Sequence, residues 1–262
     1  MLAPRVIPTL LLKGRGLVKT TRFKNPVYVG DPINAIKIFN DKGVDELMLL
    51  DITATEEGRG PAFQTIEDIA SECFMPVAYG GGISTIEQAR KILGLGIEKI
   101  VVNSAALDNS GLVNAAAREF GSQAVTVSID VRRRLFGRYE VVTARGSKGT
   151  GRNPAEFAKQ CQDAGAGEIL LTAVDRDGTM EGYDHDLIST VAGGVSVPVV
   201  ASGGAKDLGD FAKAVNDSGA AAVAGGAIFV FQGKHKAVLI TYPNQATLRD
   251  CFAGSNAVKN DD

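Results

Sequence analysis

The chain alternates short β-branched and aliphatic runs with stretches whose apolar positions recur at helical spacing. Strand-like runs cover 5–12, 45–51, 76–79, 98–102, 124–130, 168–174, 197–201 and 221–224. The helical stretches between them carry their own start and stop signals. Asp31 precedes Pro32, Ile33, Ile36 and Phe39 share a face, and Gly43 stops the turn. Ser84 and Glu87 have the spacing of a capping box ahead of Ala89, Ile92 and Leu93. Asn153-Pro154 with Glu156 opens a segment carrying Phe157 and Cys161 and closing at Gly165, and Asp207 opens one carrying Leu208, Phe211 and Val215. With no Ser/Pro-rich linker anywhere, this order predicts one α/β domain over residues 1–262, a (βα)8 TIM barrel. An open doubly wound sheet is the alternative that the same alternation permits.

An internal repeat favours the barrel. DELMLLDI (45–52) resembles GEILLTAV (167–174), and YGGGI (79–83) resembles ASGGA (201–205); Glu46 to Glu168 and Gly82 to Gly204 are both 122 residues. KIVVNSAA (99–106) corresponds to AAVAGGAI (221–228). A period near half the chain predicts two half-barrels, about 1–122 and 123–240, followed by a C-terminal tail of about 241–262.

Composition then removes whole classes of function. Apolar residues make up 45% of 262, which supplies a core. Lys+Arg is 28 against Asp+Glu 30, a net charge of −2, so no general nucleic-acid binder is expected. Cys73, Cys161 and Cys251 have no C-x-x-C spacing, and His185 and His235 are the only histidines, so neither a metal nor another cofactor is expected. No apolar run approaches the ~18 residues of a membrane span. The expectation is a cytoplasmic protein with no membrane partner.

The chemistry concentrates at strand ends. YGGGI and ASGGA end strands directly before helix starts, where successive glycine N–H groups and a helix N-terminus can receive an anion. NSAA (103–106) and GGA (225–227) stand beside them after the next strands. Tight turns alone would also explain such glycines, but two related copies favour a pair of phosphate sites across one mouth. The strand-end acids are Asp51, Asp130, Asp175 and Asp177. Asp130 ends TVSID, and its half-repeat counterpart is Leu11 in TLLLK, so one half supplies a carboxyl and the other an alkyl chain. Asp175, Asp177 and Thr179 belong to DRDGT, which also reads as an ordinary turn.

Arg5, Glu46, Lys99 and Glu168 open strands 1, 2, 4 and 6, which places them at the opposite mouth. Two cations and two anions there can pair into a neutral ring. Arg132, Arg133, Arg134 and Arg138 flank a predicted hairpin, LFGRYEVV, and read as solvated surface; His185 and His235 read as surface residues too.

Together, MLAPRVIP, FGSQAVTVSID, GAGEILLTAVDRDGT and ASGGA resemble the cyclase subunit of imidazole glycerol phosphate synthase, the HisF family, over nearly the whole chain. The resemblance implies that a HisH-like class I glutaminase docks on the barrel and sends ammonia through a gate of Arg5, Glu46, Lys99 and Glu168. It implies phosphate or substrate contacts at Lys19, Gly82, Asn103, Ser104, Asp177, Gly178, Gly204 and Gly226, with Asp130 as a catalytic residue. The chain departs from the family pattern at Leu11, where the catalytic base is an Asp, at Ala227 and Val230, and around Lys19. Those departures match a branch found in surface-polysaccharide clusters, whose members resemble this chain in TLLLK-like first strands. In that branch ammonia goes to a sugar amidotransferase for amidination of an N-acetyl sugar. The alternative implied by the resemblance is a working cyclase of histidine biosynthesis.

Overall fold

The computed structural model describes residues 4–108, 110–143, 146–233 and 235–253. In chain order, β1 (Arg5–Lys13) leads into β2 (Gly16–Thr21), β3 (Lys24–Gly30), α1 (Pro32–Asp41), β4 (Leu47–Asp51) and α2 (Phe63–Glu72). Next come β5 (Val77–Gly80), α3 (Ile86–Gly94), β6 (Lys99–Val102), α4 (Ser104–Asp108), α5 (Gly111–Phe120) and β7 (Val125–Arg133). The second half has β8 (Tyr139–Thr143), β9 (Lys148–Gly149), α6 (Pro154–Asp163), β10 (Glu168–Ala173), α7 (His185–Ala192) and β11 (Val199–Ser202). It ends with α8 (Leu208–Asn216), β12 (Ala222–Gly225), α9 (Ala227–Val230), β13 (Phe231–Gln232), β14 (Ala237–Val238) and α10 (Gln245–Ala253).

Strands β1, β4, β5, β6, β7, β10, β11 and β12 pair in that order, all parallel, and β12 returns to β1. The sheet is therefore a closed eight-stranded barrel, and the open-sheet alternative is excluded. The barrel has a core on each side of its wall. Along β1, Val6, Leu10 and Leu12 join the outer core between strands and helices. Ile7 joins an inner cluster with Met48, Ala78, Val101, Leu170, Val200, Ala222 and Ala224. Strand alternation therefore puts Arg5, Ile7, Thr9 and Leu11 on the inner face, one above another.

Local signals account for most helix starts. Asp31 caps α1 by accepting from Asn34 N–H (3.0 Å), Asn153 caps α6 through Ala155 N–H (2.9 Å), and Asp207 caps α8 through Asp210 N–H (2.9 Å). Each such cap is worth about 1 kcal/mol. The capping box of α3 lies one residue later than Ser84 and Glu87. Thr85 receives the Gln88 N–H (3.3 Å), and the Gln88 side chain accepts from the backbone of Ser84 and Thr85 (2.8 and 3.1 Å). Thr85 with Gln88 offers the same hydroxyl-and-carboxamide spacing one residue further along, and Ser84 also donates to the Gln88 side chain.

Two further stretches differ from their sequence reading. The loop after the first strand is a hairpin, in which β2 pairs back on β1 (Leu11↔Val18, Leu12↔Leu17) and β3 pairs on β2. The expected tail contributes α10, whose Leu248 and Phe252 are buried, while Tyr242 donates through its hydroxyl to the Val6 carbonyl (2.9 Å). Among the described residues no helix is long and apolar enough to cross a membrane.

Candidate functional site

At the N-terminal mouth the four charges meet. The Arg5 guanidinium bonds Glu46 and Glu168 with separate nitrogens. Lys99 Nζ donates to both oxygens of Glu46 (2.9 and 3.0 Å) and reaches Glu168 (3.4 Å), and Thr126 donates to Glu168 (3.1 Å). Each carboxylate thus has both cations as partners. Glu46 and Glu168 are buried, while Arg5 keeps some contact with solvent. Above this ring lies the apolar inner cluster, and above that the opposite mouth.

The C-terminal mouth holds a cavity of about 530 Å³. Strand ends bring Leu11, Asp51, Asn103, Asp130, Thr172 and Ser202 to its walls. The glycine loops Gly80–Gly82 and Gly203–Gly204 line it too, with Gly178, Gly225 and Gly226. The two halves pack alike there. A Cβ on Gly81 (φ 123°) would stand 2.5 Å from the Asp51 carbonyl oxygen, and one on Gly203 (φ 87°) 2.5 Å from that of Ala173. These glycines are therefore required by the turns, whatever anion their N–H groups also receive.

The remaining candidates have defined partners. Lys19 is buried, and its Nζ donates to Asp177 Oδ1 (2.8 Å), while Thr20 donates to Asp177 Oδ2 (3.2 Å). Asp51 accepts from Arg59 Nη1 (2.8 Å), Arg59 Nη2 (3.1 Å), Thr53 N–H (3.0 Å) and Ala54 N–H (3.1 Å). Asp175 turns outward to accept the Arg133 N–H (2.9 Å). Asn103 gives its amide to the Ser128 carbonyl (3.1 Å) and to Asp130 Oδ2 (3.0 Å), and Ser104 begins α4 beside it. Ala227 lines the cavity and Val230 packs into the outer core. His185 starts α7 and bridges Ser218 (2.9 Å) and Asp210 (3.1 Å), a structural clamp away from the mouth, whereas His235 is exposed. Among the described residues no group of three His, Cys, Asp or Glu could hold a metal ion.

Asp130 is the electrostatically unusual member. Its carboxyl borders the cavity, but burial in the barrel pushes its pKa up to about 7. The Asn103 hydrogen bond pulls it down and the charge of Asp177 pushes it further up. A folded-state pKa above the unfolded value favours the protonated native form, so the contribution of Asp130 to stability is fully present below about pH 4 and is lost as pH rises through 7. Asp130→Asn is expected to melt above the parent at pH 8, by at most about 4 kcal/mol, and together with it at pH 4. Thermal melting across that range checks this; a difference independent of pH contradicts the assignment.

Two cavity groups escaped the sequence reading. Arg59 fastens Asp51 from a loop with no recognisable spacing. Thr9 has a buried hydroxyl without a hydrogen-bond partner, and its alternation with Ile7 could have placed it inside.

A closed parallel barrel with duplicated glycine loops around one cavity and a charge ring at its other end defines a twofold-repeated (βα)8 barrel protein. A family model described as "Histidine biosynthesis protein" matches residues 5–236, and the chain belongs to that family. It is 50% identical over 244 residues to the Pseudomonas aeruginosa protein named "Putative imidazole glycerol phosphate synthase subunit hisF2", covering 93% of this chain and 97% of that one. A Vibrio vulnificus protein of the same designation, numbered hisF3, is 49% identical over 245 residues, covering 93% and 94%. The Hyphomonas neptunium imidazole glycerol phosphate synthase subunit HisF is 44% identical over 231 residues, covering 88% and 91%.

Proposed function

We propose that this barrel is the ammonia-receiving subunit of a glutamine amidotransferase complex, with a HisH-like class I glutaminase on its N-terminal face. Ammonia enters between Arg5, Glu46, Lys99 and Glu168, crosses the apolar inner cluster as the neutral molecule, and emerges in the C-terminal cavity. There the glycine loops, Lys19, Asn103 and Ser104 bind a phosphorylated or otherwise polar acceptor. The observation that carries this reading is the ring. It is a self-neutralised set of charges at the end of the barrel remote from the cavity, where it has no use for a ligand in that cavity.

The acceptor we assign is an N-acetyl sugar held by a sugar amidotransferase of surface-polysaccharide biosynthesis. Support comes from Leu11, which gives the cavity wall an alkyl group where the cyclase resemblance requires a base. The second reading is a working cyclase of imidazole glycerol phosphate synthase. It is favoured by the names of the relatives and by Asp130, whose pKa near 7 suits proton transfer at neutral pH.

Sedimentation and glutamine-hydrolysis assays with the purified glutaminase test the shared part. A stable complex at micromolar concentration, with hydrolysis stimulated by the barrel, is expected; independent sedimentation with no stimulation overturns it.

A further inference from the structure

The arginine-rich segment after Asp130 continues β7 into an antiparallel hairpin with β8. Val131↔Val141, Arg132↔Glu140 and Arg133↔Tyr139 pair across β7 and β8. The turn is tied by Arg134 N–H to the Arg138 carbonyl (2.7 Å) and by Gly137 N–H to the Arg134 carbonyl (3.1 Å). Its base is pinned where Asp175 accepts the Arg133 N–H and Tyr139 donates to Asp184 (2.7 Å). The tip of this braced ribbon is Leu135-Phe136, with Phe136 100% and Leu135 82% exposed.

Phe136 also adopts φ 61°, a left-handed conformation that a bulky side chain rarely takes. Two large apolar groups side by side in water, one of them on strained backbone, gain nothing for the isolated fold. The surrounding charge is positive in excess, even with Arg134 paired to Glu140 and Arg132 lying 3.8 Å from Asp175. Between Val131 and Thr143 the chain carries four arginines and a single acid, Glu140, in a protein whose net charge is −2. The hairpin rises from the end of β7 that carries Asp130, so it stands on the same face of the barrel as the cavity.

We infer that this hairpin is the docking element for the enzyme that uses what leaves the cavity, its Leu135-Phe136 tip entering an apolar socket rimmed by carboxylates. This rests on the function proposed above and adds the face and the side chains by which the acceptor enzyme is held. A rigid ribbon delivers an aromatic anchor with little ordering cost, and the arginines around it select an acidic partner and speed encounter. A protein socket is favoured over an anionic membrane because two of the four arginines already face acids, Arg134 bonding Glu140 and Arg132 lying 3.8 Å from Asp175, which leaves little positive charge for a lipid surface.

The test uses the full chain in complex with its glutaminase, the purified sugar amidotransferase as binding partner, and the double variant Leu135→Ser/Phe136→Ser. Expected is a loss of amidotransferase affinity on the order of 30-fold or more. Glutamine should then be hydrolysed without sugar product, while melting and stimulation of the glutaminase stay as in the parent. If the parent binds the amidotransferase and the variant binds it equally well, the inference fails and the proposed function stands. If the parent neither binds it nor delivers nitrogen to it, the proposed function itself fails. Tip-dependent binding to phosphatidylglycerol vesicles, with no effect on the amidotransferase, overturns the protein socket in favour of a membrane.

Discussion

Given ammonia and the bisphosphate of the histidine pathway, the protein is expected to cyclise with a turnover near or below roughly 0.01 s⁻¹. This takes an ordinary enzyme rate of about 1 s⁻¹ and removes the ~10²-fold minimum that one partner of an acid–base pair contributes. The structure narrows the alternatives for a substitute base. Asp51 has its carboxylate engaged by Arg59, Thr53 and Ala54, Asp177 is paired with Lys19, and Asp175 faces away to Arg133. Asp130, whose pKa burial pushes up to about 7, borders a cavity whose wall contains Leu11. A single carboxyl can give or take a proton but cannot do both in one step. Steady-state kinetics settle the matter, and turnover at about 1 s⁻¹ or faster would reinstate the cyclase.

Arg5→Met is expected to destabilise the fold by about 3 kcal/mol, because it leaves Glu46 and Glu168 buried with Lys99 as their only cation. For a domain of this size that lowers the melting temperature by roughly 6–12 °C. Adding Glu168→Gln restores neutrality and should recover part of the loss, since the cost comes from uncompensated charge more than from the missing side chain. Thermal melting of the parent, both single variants and the double variant measures the coupling. Strictly additive losses would mean that the four groups are solvated independently and form no ring in solution.

The strand and helix order, the half-chain repeat, most caps and the residue types at both mouths could be read from the sequence, because each is encoded locally. Apolar period, a carboxamide or carboxylate before a helix, and a glycine pair at a strand end all act within a few residues. The observed barrel strands start or stop within a few residues of those expected, and β7 runs furthest beyond its expected end because the arginine segment continues it into a hairpin. The α3 capping box stands one position later than expected, since Ser84 and Thr85 are adjacent hydroxyls each followed three residues on by Glu87 or Gln88.

Partnership is what only the tertiary structure decided. Asp51, Asp175 and Asp177 look equivalent in sequence, all of them acids at strand ends. Asp51 goes to Arg59 through the loop that follows it, whereas closure of the barrel gives Asp175 to the β7–β8 hairpin and Asp177 to Lys19, and leaves Asp130 with a single amide donor. Arg5, Glu46, Lys99 and Glu168 are up to 163 residues apart and become one cluster because β1, β4, β6 and β10 begin at the same end of a closed sheet. The energy of a charge is set by its neighbours and by the water it loses, and neither is known until strands distant in sequence have been brought together.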